Sequence, residues 1–550
     1  KGGFLVNLPS FYSCYGNKKS SDDLEIQAYD STTKSYYFLT EKTNNDTSLL
    51  ENSEFEQHQI QYEFYLQHDA ALENSNYDKS TKSLESSSKI GTKNIQLKTI
   101  IEGNKYYLLG TIDASDADRT RFFSSFKTIP FIYKNETAVY TDSITKYAIE
   151  IPKKLNNKLF SQLDVKEKET KNQFEEKIKY TSFYSETRKN VTLLYNKYSK
   201  YESIATIDSL RLNFRDYFLK ENNNYNKNAY DDYSYDYDNS ASIINLASKY
   251  QGISPSKWND LIKNEEEKYE MLSETFDYNK EKNIYVLNNI VSRKNSNQAI
   301  KYKTVFINDS YYMLSTLIDR NYKNDDAFIE KTYHSLHPFG ENLNHNYSIF
   351  DDKINLFIND ANSESDTIRF SAMNSVKDLD FGKKDLPIIK NFIETFNFKD
   401  SETAAIQSLM KKIGLIQDES VIPFLNNLYR KEDAKTAIQL GVIQALTNIK
   451  SKKAYQKIIE LLEYDLPISD NEYDITSLFN NFEKDLENSK VLFPKIFQFY
   501  SVKEYNEPII SFCNLLLDKN LVEANKIKSF KKMILTNAKL EYKRVASRKE

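Results

Sequence analysis

Residues Lys105–Lys127 and Asp309–Leu336 follow one plan, and a chain that repeats a plan folds as repeated units. The first reads KYYLLGTI, a short polar hinge, then an amphipathic stretch ending in FFSSF. The second reads DSYYMLSTLID, a polar hinge, then AFIEKTYHSL. Tyr311 and Tyr312 match Tyr106 and Tyr107, and Phe328 stands near the place of Phe122. The upstream flanks match as well. Asn94–Gly103 and Gln298–Asp309 alternate apolar with polar residues, as half-buried strands do, and each turns into the following strand at Gly103-Asn104 or Asn308-Asp309. Further back, Gly2–Ser10 and Lys146–Lys154 are short strands stopped by proline, which cannot donate to a central ladder.

Between these marks the first copy predicts a hairpin from LEIQAYD and SYYFLT, and a helix within Phe55–Leu72. The second copy has VTLLYNKY and SIATIDSLRLNFRDYFL in the corresponding order. An acidic, Tyr-rich insertion follows, Asn222–Ser240, which reads as disordered. This order of strands and helices resembles the PsbP/Mog1-like α/β sandwich, and FFSSFK is similar to the helix ending of its bacterial members. The resemblance spans about residues 1 to 340 and implies a module that binds other proteins or acts in assembly, without a common catalytic group.

After Gly340 the texture changes. Strand patterns give way to apolar residues at spacings of three and four, and Leu379, Ile416 and Ile449 mark units 37 and 33 residues apart. Each unit carries a small residue in its first helix (Ala372, Ser408, Gly441), where a neighbouring helix can approach. Each second helix carries an apolar stripe: Ile388-Ile389-Phe392-Ile393, Val421-Phe424-Leu425-Leu428 and Tyr455-Ile458-Ile459-Leu462. Pro387 and Pro423 fall in the first turn of those helices, where a missing N–H is harmless. The pattern resembles HEAT or armadillo repeats, which implies hairpins stacked into an extended surface for a partner.

The expected fold is therefore α+β: two tandem α/β sandwich modules of antiparallel sheet with helices, then an all-α HEAT-like solenoid. The expected domains are residues 1–138, 139–340 and 341–550.

Composition narrows function. The 79 acidic and 75 basic residues nearly cancel to −4, so no large field draws in nucleic acid or an anionic membrane. Cys14 and Cys513 lie almost at opposite ends of the 550 residues and build neither a disulfide framework nor a zinc site. No stretch combines a basic start, an apolar run and a small-residue cleavage site. No window approaches the roughly 18 apolar residues of a membrane helix.

Motifs that could carry chemistry are few. YLLGTI resembles the opening motif of the TraB/GumN group of metallopeptidase-like proteins, whose pattern continues with His. Here Asp113 follows, a single hard oxygen ligand, and Asp319 recurs at the hinge of the second copy. Both aspartates are expected to cap helices rather than to catalyse. His334 and His337, with His345 nearby, form the best metal candidate, and Asp351 is the nearest further ligand; His58 and His68 stand apart. Tyr230–Asp238, YDDYSYDYD, clusters carboxylates without the glycine and glutamate of an EF-hand loop. Its tyrosines could instead dock a partner. The final segment from Lys526 is basic and reads as a solvated helix or a contact for an acidic partner. Asp142-Ser143-Ile144, Asp208-Ser209-Leu210 and Asp366-Thr367-Ile368 resemble acceptor motifs of periplasmic O-glycosylation, which implies an envelope location.

The expected function is a non-enzymatic scaffold or adaptor of a bacterial cell-envelope assembly, periplasmic or associated with the outer membrane. It would bind protein partners, with no catalytic or metal residues, no cofactor, no nucleic acid and no membrane span. The alternative is an accessory part of a larger TraB/GumN-like metallopeptidase.

Overall fold

A computed structural model describes residues 3–9, 12–16, 24–47, 50–70, 72–133, 136–152, 178–228, 269–279, 283–322, 326–339, 348–431, 435–469 and 471–547. The protein is mixed α+β. Antiparallel sheets occupy the N-terminal two-thirds and helices the remainder. One compact unit comprises Lys1–Tyr198 with Ile204–Phe350, and a second comprises Ser199–Ser203 with Asp351–Glu550.

The first unit holds two large sheets built alike. The first sheet runs β2 (Tyr12–Gly16), β3 (Leu24–Asp30), β4 (Ser35–Thr43), β8 (Lys105–Ile112), β7 (Lys93–Glu102), β6 (Ser83–Ile90), β5 (Leu72–Asp78). The second runs β12 (Ile178–Tyr184), β13 (Asn190–Lys197), β17 (Ser310–Asp319), β16 (Gln298–Ile307), β15 (Ile284–Arg293), β14 (Tyr269–Asn279). Apart from β2, the strand orders correspond one to one. The short β1 (Phe4–Leu5) pairs with β9 (Lys127–Thr128), and β11 (Tyr147–Pro152) pairs with β18 (His337–Pro338) in the same sense; β11 also takes β10 (Thr137–Asp142) as a second neighbour.

Alternation along the strands buries both faces of each sheet. In the first, Phe38, Leu108, Ile95 and Leu97 pack under α1 (Ser53–Gln67), while Tyr37, Leu39, Tyr107 and Leu109 pack under α2 (Asp116–Ser125). In the second, α3 (Ile207–Asn228) covers the Leu287, Ile300 and Tyr302 face, and α4 (Ala327–Ser335) the Leu193, Val305 and Leu314 face. Helix α3 runs on to Asn228, so the insertion read as disordered begins as helix; Tyr230–Asp238 lies outside the described residues.

The repetition extends to single hydrogen bonds. Ser125 Oγ donates to Phe122 O at 2.7 Å and accepts from Asn7 N at 2.9 Å, and Ser335 Oγ donates to Thr332 O at 3.1 Å and accepts from Glu150 N at 2.8 Å. Each serine thus ends its helix and ties down the strand that pairs beyond it. Phe4 meets Tyr107 edge-on at 5.8 Å, as Tyr147 meets Tyr312 at 5.9 Å. This register corrects one expected match: Phe122 corresponds to Thr332, not Phe328, because the turn before α4 is longer than the turn before α2.

The second unit consists of α5 (Ile354–Ala361), α6 (Asp366–Asn374), α7 (Leu386–Thr395), α8 (Thr403–Leu415), α9 (Ile422–Tyr429), α10 (Thr436–Asn448), α11 (Lys452–Tyr464), α12 (Glu472–Glu483), α13 (Leu486–Ser489), α14 (Lys503–Asp518) and α15 (Lys531–Ser547), joined by short 3-10 turns. Helix α8 packs on α10, α10 on α12 and α12 on α14, while α9 packs on α11. Pro387 and Pro423 open α7 and α9 as expected. The second-helix stripes are buried, with the exception of Ile388, which faces outward. Helix α10 contains no charged residue and presents no fully exposed side chain, as a helix packed on several sides must. A Cβ on Gly441 would lie 2.5 Å from Met410 Cε, and one on Gly414 only 2.2 Å from Ala445 O. The close approach of α8 and α10 therefore runs through two glycines; Ser408, the small residue expected to serve there, is half-buried.

Candidate functional site

The YLLGTID stretch is closely packed. Gly110 sits in β8 under the ring of Phe38, its partner on β4, and a Cβ there would fall 1.9 Å from Phe38 Cζ. Phe38 in turn stacks on Phe64 of α1 at 5.6 Å and 12°. In the second copy the paired positions are Thr192 and Ser315, and no ring demands a glycine. Phe38 and Gly110 therefore fit as a pair in the first copy alone.

Asp113 is not the helix cap expected of it. Its backbone is left-handed (φ 55°), its N donates to Asn94 O at 2.8 Å, and its Oδ1 accepts from Asn94 N at 2.9 Å. It closes the β7–β8 hairpin end instead. The cap of α2 is Ser115, accepting from Asp118 N. Asp319 likewise accepts from Asn321 N in a local turn, and α4 is capped by Asp326 through Phe328 N and Ile329 N. A short polar side chain immediately before the helix satisfies the orphan N–H groups better than a residue bound to a strand.

The described histidines do not converge on a common site. His334 is 81% exposed at its side chain with Nδ1 against Glu330 O, and His337 is exposed with Nδ1 against Ser335 O. His345 lies outside the described residues, Asp351 faces Lys353 at 3.8 Å, His58 is buried in α1 and His68 ends that helix. Among the described residues no group of three or more His, Cys, Asp or Glu could hold a metal ion. Cys513 is buried in α14, where desolvation pushes its thiol up to about 12.

A cavity of about 330 Å³ lies within the first unit between its two sheets, lined by Lys105, Tyr107, Phe131, Lys189, Tyr322 and Asp326 among others. Three of its charged residues, Lys105, Lys189 and Asp326, are already engaged. Lys105 holds Glu41 at 2.7 Å and the Thr43 hydroxyl at 2.6 Å; Lys189 holds Asp326 at 2.8 Å. Asp326 also accepts from the Tyr133 hydroxyl at 3.0 Å, and burial followed by that carboxylate's charge raises the Tyr133 phenol. Beside this cavity the two modules are tied together. Leu50 N donates to Tyr269 Oη at 3.0 Å, Asn297 N to Ser53 Oγ at 2.6 Å, and Gln298 Nε2 to Gly103 O at 2.6 Å. Sequence patterning could not have found this joint, because its residues carry no periodicity.

In the second unit, ion pairs and cation–ring contacts link segments about 30 residues apart. Lys383 pairs with Asp418 at 2.9 Å and Lys453 reaches Glu419 at 3.9 Å. Arg369 grips Glu402 through two nitrogens at 2.7 Å each and lies 4.7 Å from the Phe396 ring, and Arg430 lies 4.1 Å from the Tyr464 ring. That guanidinium holds the Glu402 carboxyl below its ordinary range. Large apolar side chains remain outside: Phe370 (70% exposed), Leu415, Tyr464 and Tyr473 (82% exposed). No helix is long and apolar enough to cross a membrane among the described residues. No family model matches the chain, and no curated protein matches it.

Proposed function

We propose that this chain is a non-enzymatic scaffold or adaptor subunit of a bacterial cell-envelope assembly. Its two sheet modules would be PsbP/Mog1-like sandwiches and its helices a HEAT-like solenoid that grips a protein partner. The observation that carries this reading is the packing of α8, α10, α12 and α14 each on the next, with ion pairs between successive units. Helices that contact only their neighbours need partners along their length and offer a continuous surface in return. Exposed Phe370 and Tyr473 supply aromatic anchors of the kind that dominate interfaces. The envelope location rests on the Asp-Ser and Asp-Thr triplets, of which Ser143 and Thr367 are exposed. The alternative, an accessory part of a TraB/GumN-like metallopeptidase, rests on YLLGTI, and the Phe38–Gly110 fit accounts for that stretch without catalysis.

Isolation of the tagged chain from its native host in mild detergent should bring a stoichiometric protein partner, and Phe370→Ser with Tyr473→Ser should release it. A stoichiometric transition metal, or a partner indifferent to both exchanges, would overturn the reading.

A further inference from the structure

The net charge of −4 hides a segregated distribution. Residues 526–550 contain nine basic and two acidic residues, so the remainder of the chain is distinctly acidic. The positive charge is gathered onto one face of α15. At about 100° per residue, Lys531, Lys532, Leu535, Lys539, Tyr542 and Lys543 fall within an arc of roughly 120°. All six are exposed, Leu535 by 49% and Tyr542 by 77%, and none of the four lysines has an ion-pair partner among the described residues. Met533 and Ile534, on the other side, pack against the core of the helical unit. The helix is thus held from behind and presents a fixed outward face.

We infer that this face of α15 docks reversibly on an anionic membrane surface. A polyanionic occupant follows from charge complementarity: four ammonium groups stand together with no described carboxylate among them, on a chain whose remainder would be repelled by the same surface. The interleaved Leu535 and Tyr542 select lipid among polyanions. A bilayer interface accepts an aliphatic side chain and seats a tyrosine ring at headgroup level. The lysine stems meanwhile lie along apolar surface with their ammonium groups at the phosphates. The overall balance, read from the sequence as excluding an anionic membrane, was the wrong quantity, because screening confines each charge's reach to about 10 Å. The inference does not depend on the scaffold reading.

The test is co-sedimentation of the full chain with vesicles of phosphatidylcholine alone and of phosphatidylcholine and phosphatidylserine at three to one. Binding is expected only to the second, and to fall as salt rises. Each lysine at such a surface is worth roughly five-fold in partitioning, so Lys531→Gln, Lys539→Gln and Lys543→Gln together should weaken binding about 100-fold. Leu535→Ser should weaken it without changing the salt dependence. The exposed Lys377, Lys384 and Lys431, changed to Gln as a control, should leave binding intact. Equal binding to both vesicles, no binding to either, or a triple variant that binds like the parent would each overturn the inference. Binding to soluble polyglutamate without binding to vesicles would overturn it in favour of an acidic protein surface.

Discussion

Replacing Gly110 by alanine tests whether the YLLGTI stretch is packing or chemistry. The added Cβ would stand 1.9 Å from Phe38 Cζ and 2.3 Å from Cε1, far inside contact distance, so the ring must leave its place. Overpacking of this kind costs about 1–3 kcal/mol. Displacing the ring also forfeits the stack on Phe64, about 0.5–1.5 kcal/mol. Alanine in place of glycine in a strand returns roughly 0.5–1 kcal/mol through the unfolded chain. The net expectation is a loss of about 2–3 kcal/mol. In a Phe38→Ala background the obstruction is gone, and Gly110→Ala should then be neutral or slightly stabilising, giving a coupling of about 2 kcal/mol or more. Hydrogen exchange of peptides covering Ser35–Thr43 and Lys105–Ile112 reads the protection of these two strands in all four proteins. Strictly additive losses would refute the packing account and return the motif to catalysis.

Other outcomes follow from the same geometry. Gly414→Ala drives a Cβ against the backbone of Ala445, which cannot rotate away, and should cost about 2–3 kcal/mol by thermal denaturation; Gly441→Ala meets chiefly side-chain atoms, the flexible end of Met410 and then Gln407 Cγ, and should cost less, about 1 kcal/mol. Equal effects would mean that α8 and α10 are not in this register. Tyr312→Phe removes a buried hydroxyl that donates to Thr145 O at 2.6 Å and should lower stability by about 1–2 kcal/mol in urea. Because Arg369 depresses the folded-state pKa of Glu402, the pair's stabilisation is present above the unfolded value of about 4.3 and is lost as pH falls through the lower folded value. Glu402→Gln should flatten that part of the acid-unfolding curve, and an unchanged curve would contradict the assignment. With its thiol pushed up to about 12, Cys513 at pH 8 is roughly one part in 10⁴ thiolate and should resist iodoacetamide until the helical unit unfolds, as peptide mass spectrometry can show.

The hairpins β7–β8 and β16–β17 were legible because alternation over eight to ten residues has few other solutions. The paired helices were legible because buried stripes recur at helical spacing. The repeat itself was visible in paired tyrosines, and the serines at 125 and 335 carried a further signal that only hydrogen bonding made specific. What escaped was set by three-dimensional neighbours. Asp113 reads as a cap until Asn94 is seen across the hairpin, and Gly110 reads as a motif residue until Phe38 is seen above it. Ser408 was expected at the close helix approach, which Gly414 against Ala445 provides instead. The basic face of α15 was visible as composition, but which lysines stand together depends on which side of the helix Met533 and Ile534 bury.

The central claim is that these stacked helices work by holding another protein. Light scattering on the species isolated gently from the native host tests it most directly. The chain alone has a mass of 64.4 kDa. A discrete particle well above that mass, containing a second polypeptide in fixed ratio, is the predicted result; a homogeneous species at the mass of the single chain would contradict the claim.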